Sequence, residues 1–373
     1  MLLRVLVFSL NSIGTVIGIF KSEAKLWPEF ADAIAARPSC VIDDLDMSVI
    51  HNVAQLPRIL KLTARFRDVP KRHQLVVNRL LKMGVTTLLS TDRPISLLNS
   101  LAISCPDVRQ VLVAHTTIQP LNRPRISETL PFPNRTLLVW GLRDKEIVGA
   151  LQPHLKIHVN GSLRNATFLR HQAMQSRVAT AEKICVISSH LGEAKEESRR
   201  DKPSDIRYLL RERLLELAST ASLQLGLPLH IALKPPTMGF FSEGTEAKHD
   251  AEREYFRRAF RGLSISFSDP SMPYSSYQAS NESLLTVGLP TGALVETLGR
   301  GSAAMTLDTN GAPEFAALPA KYIVGRMEAA SIASRFGQIL ETSTNQRSLD
   351  LQDWIFDAMS DGPLSRLGEI LSA

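Results

Sequence analysis

A short turn, Leu289-Pro290-Thr291-Gly292, carries the residues of this sequence that are best suited to chemistry. The apolar run at residues 283–287 predicts a buried strand before the turn, and residues 293–298 predict a short amphipathic helix after it. Backbone N–H groups and the dipole at the N-terminus of a helix form a ready anion site. The turn therefore predicts a site for a phosphate or a similar anion, to which Thr291 could offer a hydroxyl and Gly292 a close backbone approach.

Glu296 lies five residues after Thr291, on the same predicted helix. Its neighbours Val295 and Leu298 indicate that much of this helix is buried, and carboxylates are seldom buried without a partner. This pattern favours a functional role for Glu296. The simpler alternatives are an ordinary helix cap at Thr291 and a solvated carboxylate at Glu296.

The turn belongs to a strand–turn–helix–strand unit, and similar units recur in both halves of the chain. Their alternation predicts an α/β fold with two Rossmann-like, doubly wound domains that face each other across a cleft. The predicted strands of the first half are residues 4–8, 40–42, 86–89, 110–114, 137–139 and 156–159. Those of the second half are residues 184–187, 230–233, 263–267, 283–287 and 303–307.

This alternation divides the chain into an N-terminal domain at residues 1–175, a C-terminal domain at residues 176–345 and a closing helix at residues 346–373. The first 20 residues are apolar but are divided by Arg4 and by Asn11-Ser12. We interpret them as a first strand and a turn into a helix, with a signal peptide as the alternative.

The composition is that of a globular protein, with 44% hydrophobic and 21% charged residues in a chain of 373. A formal charge of +6 suits anionic ligands or an anionic membrane surface, whereas nucleic acid is disfavoured because no zinc-ligand set, aromatic RNA-binding signature or long basic arm is present. Cys40, Cys105 and Cys185 are far apart and lie in or beside apolar runs, which predicts reduced thiols. No apolar run reaches 18 residues, so we expect a cytoplasmic protein, one that could sit peripherally on the inner membrane.

Three segments carry a resemblance to known proteins. Trp140-Gly141 is followed some twenty residues later by Gly161-Ser162-Leu163-Arg164, which is similar to a "WG … GS-x-R" pattern. The strand and loop from Cys185 to His190 look like the opening of a nucleotide-binding half, and the stretch from Thr291 to Gly301 is similar to "S-T-x-x-x-E-A-x-x-x-G". The chain resembles GT-B fold glycosyltransferases, and more narrowly the bacterial surface-carbohydrate biosynthesis proteins related to capsule and teichoic-acid polymer transferases.

The resemblance implies a glycosyltransferase that moves a sugar from a nucleotide-activated donor to a cell-surface glycan or a lipid-linked acceptor. The donor would bind the second domain, and the acceptor would approach from the first. Such enzymes need no metal or other cofactor, because helix N-termini and basic side chains hold the diphosphate. Two alternatives stay open: a sugar-nucleotide epimerase of the same fold, and a non-catalytic partner of a polysaccharide assembly system.

Five residues match donor-binding positions of this family. Thr291 and Gly292 match the diphosphate-binding turn, and Glu296 matches the carboxylate that accepts hydrogen bonds from the donor ribose. Lys234, at the end of a predicted strand, could neutralise the leaving diphosphate, although the histidine of the family's Lys-x-His-Pro pattern is missing here. Arg164, from the "GS-x-R" match, could pair with a phosphate or an acidic sugar.

Two histidines are candidate catalytic groups. His115 ends a predicted strand and matches the proposed base of the polymer transferases, although Thr116 stands where relatives have glycine. His190 follows the first predicted strand of the second domain and could contact phosphate or act as an acid or base. The alternative for His115 is a strand-end histidine without a role, and the alternative for His190 is a loop histidine without a role.

Further candidates share the same sheet edges. The rival bases are Asp92 and the pair Asp43-Asp44, whose simpler role would be helix capping. Tyr274 and Tyr277 lie near the position that holds the nucleotide base, where they could stack on it or pack against the sheet.

Overall fold

The computed structural model describes residues 16–20, 29–30, 34, 37–42, 70–91, 95–117, 132–173, 181–188, 206–233, 245–309, 318–324 and 329–372. Within them the chain forms two six-stranded parallel sheets, one from residues 17–159 and one from residues 181–324. The predicted α/β class with two Rossmann-like domains is confirmed. Among these residues no helix is long and apolar enough to cross a lipid bilayer.

The first sheet has the strand order β2-β1-β3-β4-β5-β6. Its strands are β1 (Ile17–Phe20), β2 (Ser39–Ile42), β3 (Thr87–Thr91), β4 (Arg109–Val113), β5 (Arg135–Val139) and β6 (Lys156–Val159). The helices between and after them are α1 (Lys71–Lys82), α2 (Ile95–Ser104), α3 (Leu142–Leu151) and α4 (Leu163–Ala173).

The second sheet has the order β12-β11-β10-β7-β8-β9. Its strands are β7 (Ala181–Ile187), β8 (Leu229–Ala232), β9 (Ile265–Phe267), β10 (Ser283–Val287), β11 (Ala304–Leu307) and β12 (Ile323–Val324). Its helices are α5 (Ile206–Leu225), α6 (Thr245–Ala259), α7 (Ser275–Asn281), α8 (Gly292–Gly299) and α9 (Ala329–Glu341), and a 3-10 turn, Ala320–Tyr322, precedes β12. The order of the strands reverses between β7 and β10, which is where open α/β sheets bind ligands.

Apolar spacing explains how the helices cover these sheets. On α5 the buried residues Leu210, Leu214, Leu217 and Ala221 recur every three or four positions, so they form one stripe along the helix. They belong to the same core as strand residues such as Ile184 of β7. The second domain is therefore organised around a sheet that is buried by helices.

The start of the first sheet differs from the interpretation of the sequence. The strand predicted at residues 4–8 lies outside the described residues. Residues 17–20, interpreted as part of a turn into a helix, form β1, which pairs with both β2 and β3. Ile17 and Ile19 are buried, and two β-branched side chains on one face are sufficient for a short strand that has a neighbour on each side.

The closing helix predicted at residues 346–373 is two helices, α10 (Thr344–Asp350) and α11 (Gly362–Ser372). Between them Asp357 has the left-handed φ of 54°, which a helix does not contain, and Pro363 suits the first turn of α11. The domain bounds at residues 175 and 345 stay predictions.

Residues 351–361, here called the C-terminal strap, contact both domains. The Phe356 N–H donates to the Trp140 carbonyl at 2.8 Å, and the Asn165 side-chain amide donates to the Ala358 carbonyl at 2.7 Å. A Cβ on Gly161 of the first domain would collide with the Phe356 carbonyl, and a Cβ on Gly299 of the second would lie 2.5 Å from Ile355 Cγ2. Gly161 and Gly299, which lie in two of the motif-like segments of the sequence, thus let the strap pack closely against both domains.

Replacing Gly161 by alanine should destabilise the protein more than replacing Gly262. Both glycines have φ of +87°, so both substitutions carry the same left-handed strain of about 1–2 kcal/mol. A Cβ on Gly262 meets nothing within 4 Å, whereas one on Gly161 meets the strap. We expect Gly161→Ala to lower the free energy of unfolding by about 1–3 kcal/mol more than Gly262→Ala. Urea denaturation of the two variants measures the difference, and equal losses would contradict the close contact of the strap.

Candidate functional site

The candidate site is built on α8, which follows β10 at the reversal point of the second sheet. Thr291 is the N-cap residue by backbone geometry, with φ of −92° and ψ of 171°, and its carbonyl accepts from the N–H groups of Leu294 and Val295. Its hydroxyl makes no capping hydrogen bond. The structure therefore does not use this hydroxyl as an ordinary side-chain cap, the simpler alternative for Thr291.

Residues of the first domain lie directly against this turn. A Cβ on Gly292 would be 2.8 Å from Thr116 Oγ1 and 3.2 Å from Trp140 Cη2. The indole N–H of Trp140 donates to the Ala114 carbonyl at 3.0 Å, which fixes the ring across the end of β4. His115, between Ala114 and Thr116, is partly buried in the same segment. The structure thus brings the segment of the predicted base to the predicted diphosphate turn.

Glu296 is buried between the two domains, with 2% of its surface exposed. The Ser162 hydroxyl from the first domain donates to its Oε1, and the Tyr277 hydroxyl donates to its Oε2 at 2.6 Å. Burial raises the pKa of Glu296 above its ordinary value, while these two hydrogen bonds and the charges of Arg300 and Arg164 act in the opposite direction. Both carboxylate oxygens therefore have protein partners.

Arg300 is the buried cation beside this carboxylate. Its Nη1 donates to Asn165 Oδ1 at 2.7 Å, and its Nη2 donates to Ser280 Oγ at 2.9 Å. The guanidinium lies 5.2 Å from the ring centre of Phe168 and 5.1 Å from that of Tyr277, which is the geometry of a cation–π contact. Burial lowers the pKa of Arg300, and Glu296 acts to raise it. The two charges thus offset part of each other's cost of burial.

Arg164 and Glu29 extend the cluster on the side of the first domain. Arg164 Nε lies 3.4 Å from Glu29 Oε1, and the Tyr274 hydroxyl donates to the same oxygen at 3.0 Å. Burial acts to lower the pKa of Arg164, but Tyr277, Glu29 and Glu296 together raise it. Arg164 therefore stays charged, and 34% of its side chain is exposed.

These contacts define an interdomain polar cluster made of Glu29, Ser162, Arg164, Asn165, Tyr274, Tyr277, Ser280, Glu296 and Arg300. The sequence predictions included Arg164 and Glu296 but missed Glu29, Ser162, Asn165 and Arg300 as partners. One signal was available, because Glu296 and Arg300 are four residues apart on one helix and such pairs face each other.

The other predicted residues divide into two groups. His190 and Lys234 lie outside the described residues, as do the rival bases Asp43, Asp44 and Asp92. Tyr274 and Tyr277 pack near Phe168, with ring centres 6.2 Å and 5.5 Å from it. Stacking of either tyrosine on a nucleotide base stays a prediction.

In the part of the chain that the structure describes, no group of three or more histidine, cysteine, aspartate and glutamate side chains could hold a metal ion. The site offers hydroxyl, carboxylate and guanidinium groups, with the imidazole of His115 in the segment beside it. Together these can hold an anion, accept hydroxyl hydrogen bonds and exchange a proton.

Solved structures share this two-domain layout. A sucrose-phosphate synthase from Thermosynechococcus elongatus superposes with a TM-score of 0.53 at 12% identity, covering 95% of this chain and 98% of its own. A UDP-forming α,α-trehalose-phosphate synthase from Burkholderia xenovorans, in complex with glucose-6-phosphate, gives 0.51 at 11% identity, with 96% and 100% covered. A UDP-GlcNAc 2-epimerase from Methanocaldococcus jannaschii, in complex with UDP-GlcNAc and UDP, gives 0.55 at 12% identity, with 95% and 99% covered.

No protein-family model and no curated protein matches the sequence. The structural likeness at such low identity shows the fold, which is GT-B, and both glycosyltransferases and epimerases are among the proteins that share it.

Glu296→Gln should change how stability depends on pH. A raised pKa in the folded state means that Glu296 contributes stability below its unfolded pKa, near 4.5, and loses it as pH rises through the folded pKa. The glutamine stays neutral at all these pH values. The free energy of unfolding of the variant, relative to that of wild type, should therefore rise between pH 4 and pH 8. Urea denaturation at both pH values measures the difference in free energy of unfolding (variant minus wild type), with Glu254→Gln, at a half-exposed carboxylate, as control. A difference (variant minus wild type) that stays constant, or that falls between pH 4 and pH 8, would contradict this assignment.

Proposed function

We propose that this protein is a metal-independent glycosyltransferase that moves a sugar from a nucleotide-activated donor to a surface glycan or a lipid-linked acceptor. The observation that carries the proposal is the position of α8. Its N-terminal turn and Glu296 lie at the reversal point of the second sheet and face the first-domain segments of His115 and Arg164.

On this proposal the donor is held by α8. The backbone N–H groups at Gly292 and the Thr291 hydroxyl bind the diphosphate, which the helix N-terminus favours electrostatically. Glu296 accepts hydrogen bonds from the ribose hydroxyls. Lys234 and Arg164 offset the negative charge that grows on the diphosphate as the sugar leaves.

The transfer step requires a base for the acceptor. The acceptor hydroxyl oxygen attacks the anomeric carbon, the bond from that carbon to the diphosphate oxygen breaks, and His115 takes the hydroxyl proton. The nucleoside diphosphate leaves with the bonding electrons. His190 is proposed to contact the phosphates or to act as a second acid or base.

An epimerase of the same fold is the second candidate, and the similarity to a UDP-GlcNAc 2-epimerase supports it equally well. This reaction needs acidic and basic groups around the donor sugar. The described first domain has a buried carboxylate after β5, Asp144, whose Oδ1 accepts from the Thr117 hydroxyl at 2.9 Å. The third candidate, a non-catalytic partner, rests on the protein contacts that already occupy Glu296.

The proposed cellular location is the cytoplasm, with peripheral contact at the inner membrane, where a lipid-linked acceptor would lie. The support is the formal charge of +6, since anionic lipids attract basic surfaces. Flotation with neutral and anionic vesicles tests it, and failure to bind either vesicle would exclude the contact.

A nucleotide-binding panel tests the proposed donor site. We expect one of UDP, CDP, GDP, CMP and dTDP to stabilise the wild type by about 2.7 kcal/mol at one hundred times its Kd. Glu296→Ala should weaken that binding at least about tenfold, through loss of a charge-assisted hydrogen bond. Glu282→Ala, in the same domain but paired with Lys183, is the matched control and should bind normally.

Turnover assays with the matching sugar nucleotide then separate the three candidates. Release of the nucleotide only with an acceptor supports the transferase. Conversion of the sugar nucleotide without an acceptor identifies an epimerase instead. Binding without either reaction, or no binding at all, favours the non-catalytic partner and contradicts the proposal.

A further inference from the structure

First-domain side chains cover the donor-binding face that we propose on α8. Thr116 and Trp140 lie against Gly292, and Ser162 reaches Glu296 one helical turn further along. These three residues follow β4, β5 and β6, whose ends share one edge of the first sheet. A nucleotide therefore cannot reach this face of α8 while the two domains keep these contacts.

The Glu296 carboxylate is bound by two hydroxyl groups, one from each domain. Ser162 belongs to the N-terminal end of α4, whereas Tyr277 belongs to α7 of the same domain as Glu296. A ribose would offer the same chemistry, because its 2′- and 3′-hydroxyls form a vicinal pair of donors. The protein thus places a hydroxyl of its own where the proposed ligand would place one.

We propose that Ser162 is an internal competitor for the donor-binding carboxylate. Its hydroxyl holds the position on Glu296 that a ribonucleoside diphosphate would take, so that nucleotide binding displaces Ser162 and separates α4 from α8. This inference rests on the proposed function. It adds that the protein blocks its own donor site with Ser162, so that access of the nucleotide depends on the separation of α4 from α8.

Ser162 keeps one of its two present partners when it leaves Glu296. Its Oγ accepts the Asn165 backbone N–H at 3.2 Å, as an N-cap residue does, and that bond lies within α4 and its cap. The displaced hydroxyl therefore keeps a hydrogen bond.

Tyr277 stays with Glu296, because both residues are in the second domain and the Arg300 guanidinium lies 5.1 Å from the Tyr277 ring centre. An ionised carboxylate has about four acceptor positions, so Oε1 can take the ribose while Oε2 keeps Tyr277. At Glu296 one cross-domain hydroxyl is thus exchanged for the hydroxyls of the ligand, and the separation of α4 from α8 also breaks the hydrogen bond from Arg300 to Asn165.

Calorimetric titration of the ribonucleoside diphosphates UDP, CDP and GDP into Ser162 variants tests the proposal, with dTDP as the ligand that lacks the 2′-hydroxyl. Ser162→Ala removes a hydrogen bond that only the closed arrangement makes, so the nucleotide that binds best should bind roughly tenfold more tightly than to wild type. Ser162→Gly is the second variant. Glycine at an N-cap costs less helix stability than alanine, so α4 should stay folded in this variant. Ser283→Ala removes a buried serine that donates to the Ala279 carbonyl, away from Glu296, and should leave affinity unchanged.

The outcomes separate this inference from the function on which it rests. Tighter binding by both Ser162 variants, with normal binding by Ser283→Ala, supports the competitor. Wild-type binding that is unchanged or weakened in both Ser162 variants overturns the competitor and leaves the donor site standing. No binding of any of the four nucleotides by wild type or variants overturns both.

Discussion

The hydrogen bonds to the buried carboxylate of Glu296 are the interaction on which the interdomain arrangement depends. A charge at an interface costs several kcal/mol unless hydrogen bonds and an opposite charge compensate for it. Ser162 supplies one partner from the first domain, while Tyr277 and Arg300 supply others from the second. Because Arg300 in turn donates to Asn165 of α4, the same carboxylate and cation fix α4 against α8.

Close packing of the C-terminal strap against both domains complements this polar contact. The strap passes against Gly161 of the first domain and Gly299 of the second, where any side chain would collide. Asn165 joins the two systems, since its backbone N–H donates to Ser162, its side-chain oxygen accepts from Arg300 and its side-chain nitrogen donates to the strap. The residues around Gly161, Asn165 and Gly299 thus hold the domains together, and substitutions there are expected to lower stability.

The elements that local sequence determines were predictable, whereas the contacts between domains were not. Central strands such as β4 and β10 are short apolar runs with β-branched residues, and the turn before α8 is marked by Pro290 and Gly292. β1 was missed because four residues give little periodicity. The closing helix was predicted as one element, whereas residues 351–361 contain the left-handed φ of Asp357 and pack against Gly161 and Gly299.

The candidate site shows the same division between features that local sequence determines and contacts between the domains. The Thr291-Gly292 turn and Glu296 follow from one local pattern, and the Glu296–Arg300 pair was readable from its spacing. Ser162 and Glu296 are 134 residues apart, so nothing in either local sequence indicates that they meet. Such pairing depends on how the two domains pack, which is set by the strap and by the polar cluster as a whole.

Hydrogen–deuterium exchange with and without the nucleotide that binds best tests the proposal that the first domain covers a donor site on α8. We expect slower exchange at residues 292–299, where the ligand would cover α8, and faster exchange at residues 162–168, where α4 would lose its contact with Glu296. Protection confined to other segments, or unchanged exchange in both of these, would contradict the assignment of α8 as a donor site covered by the first domain.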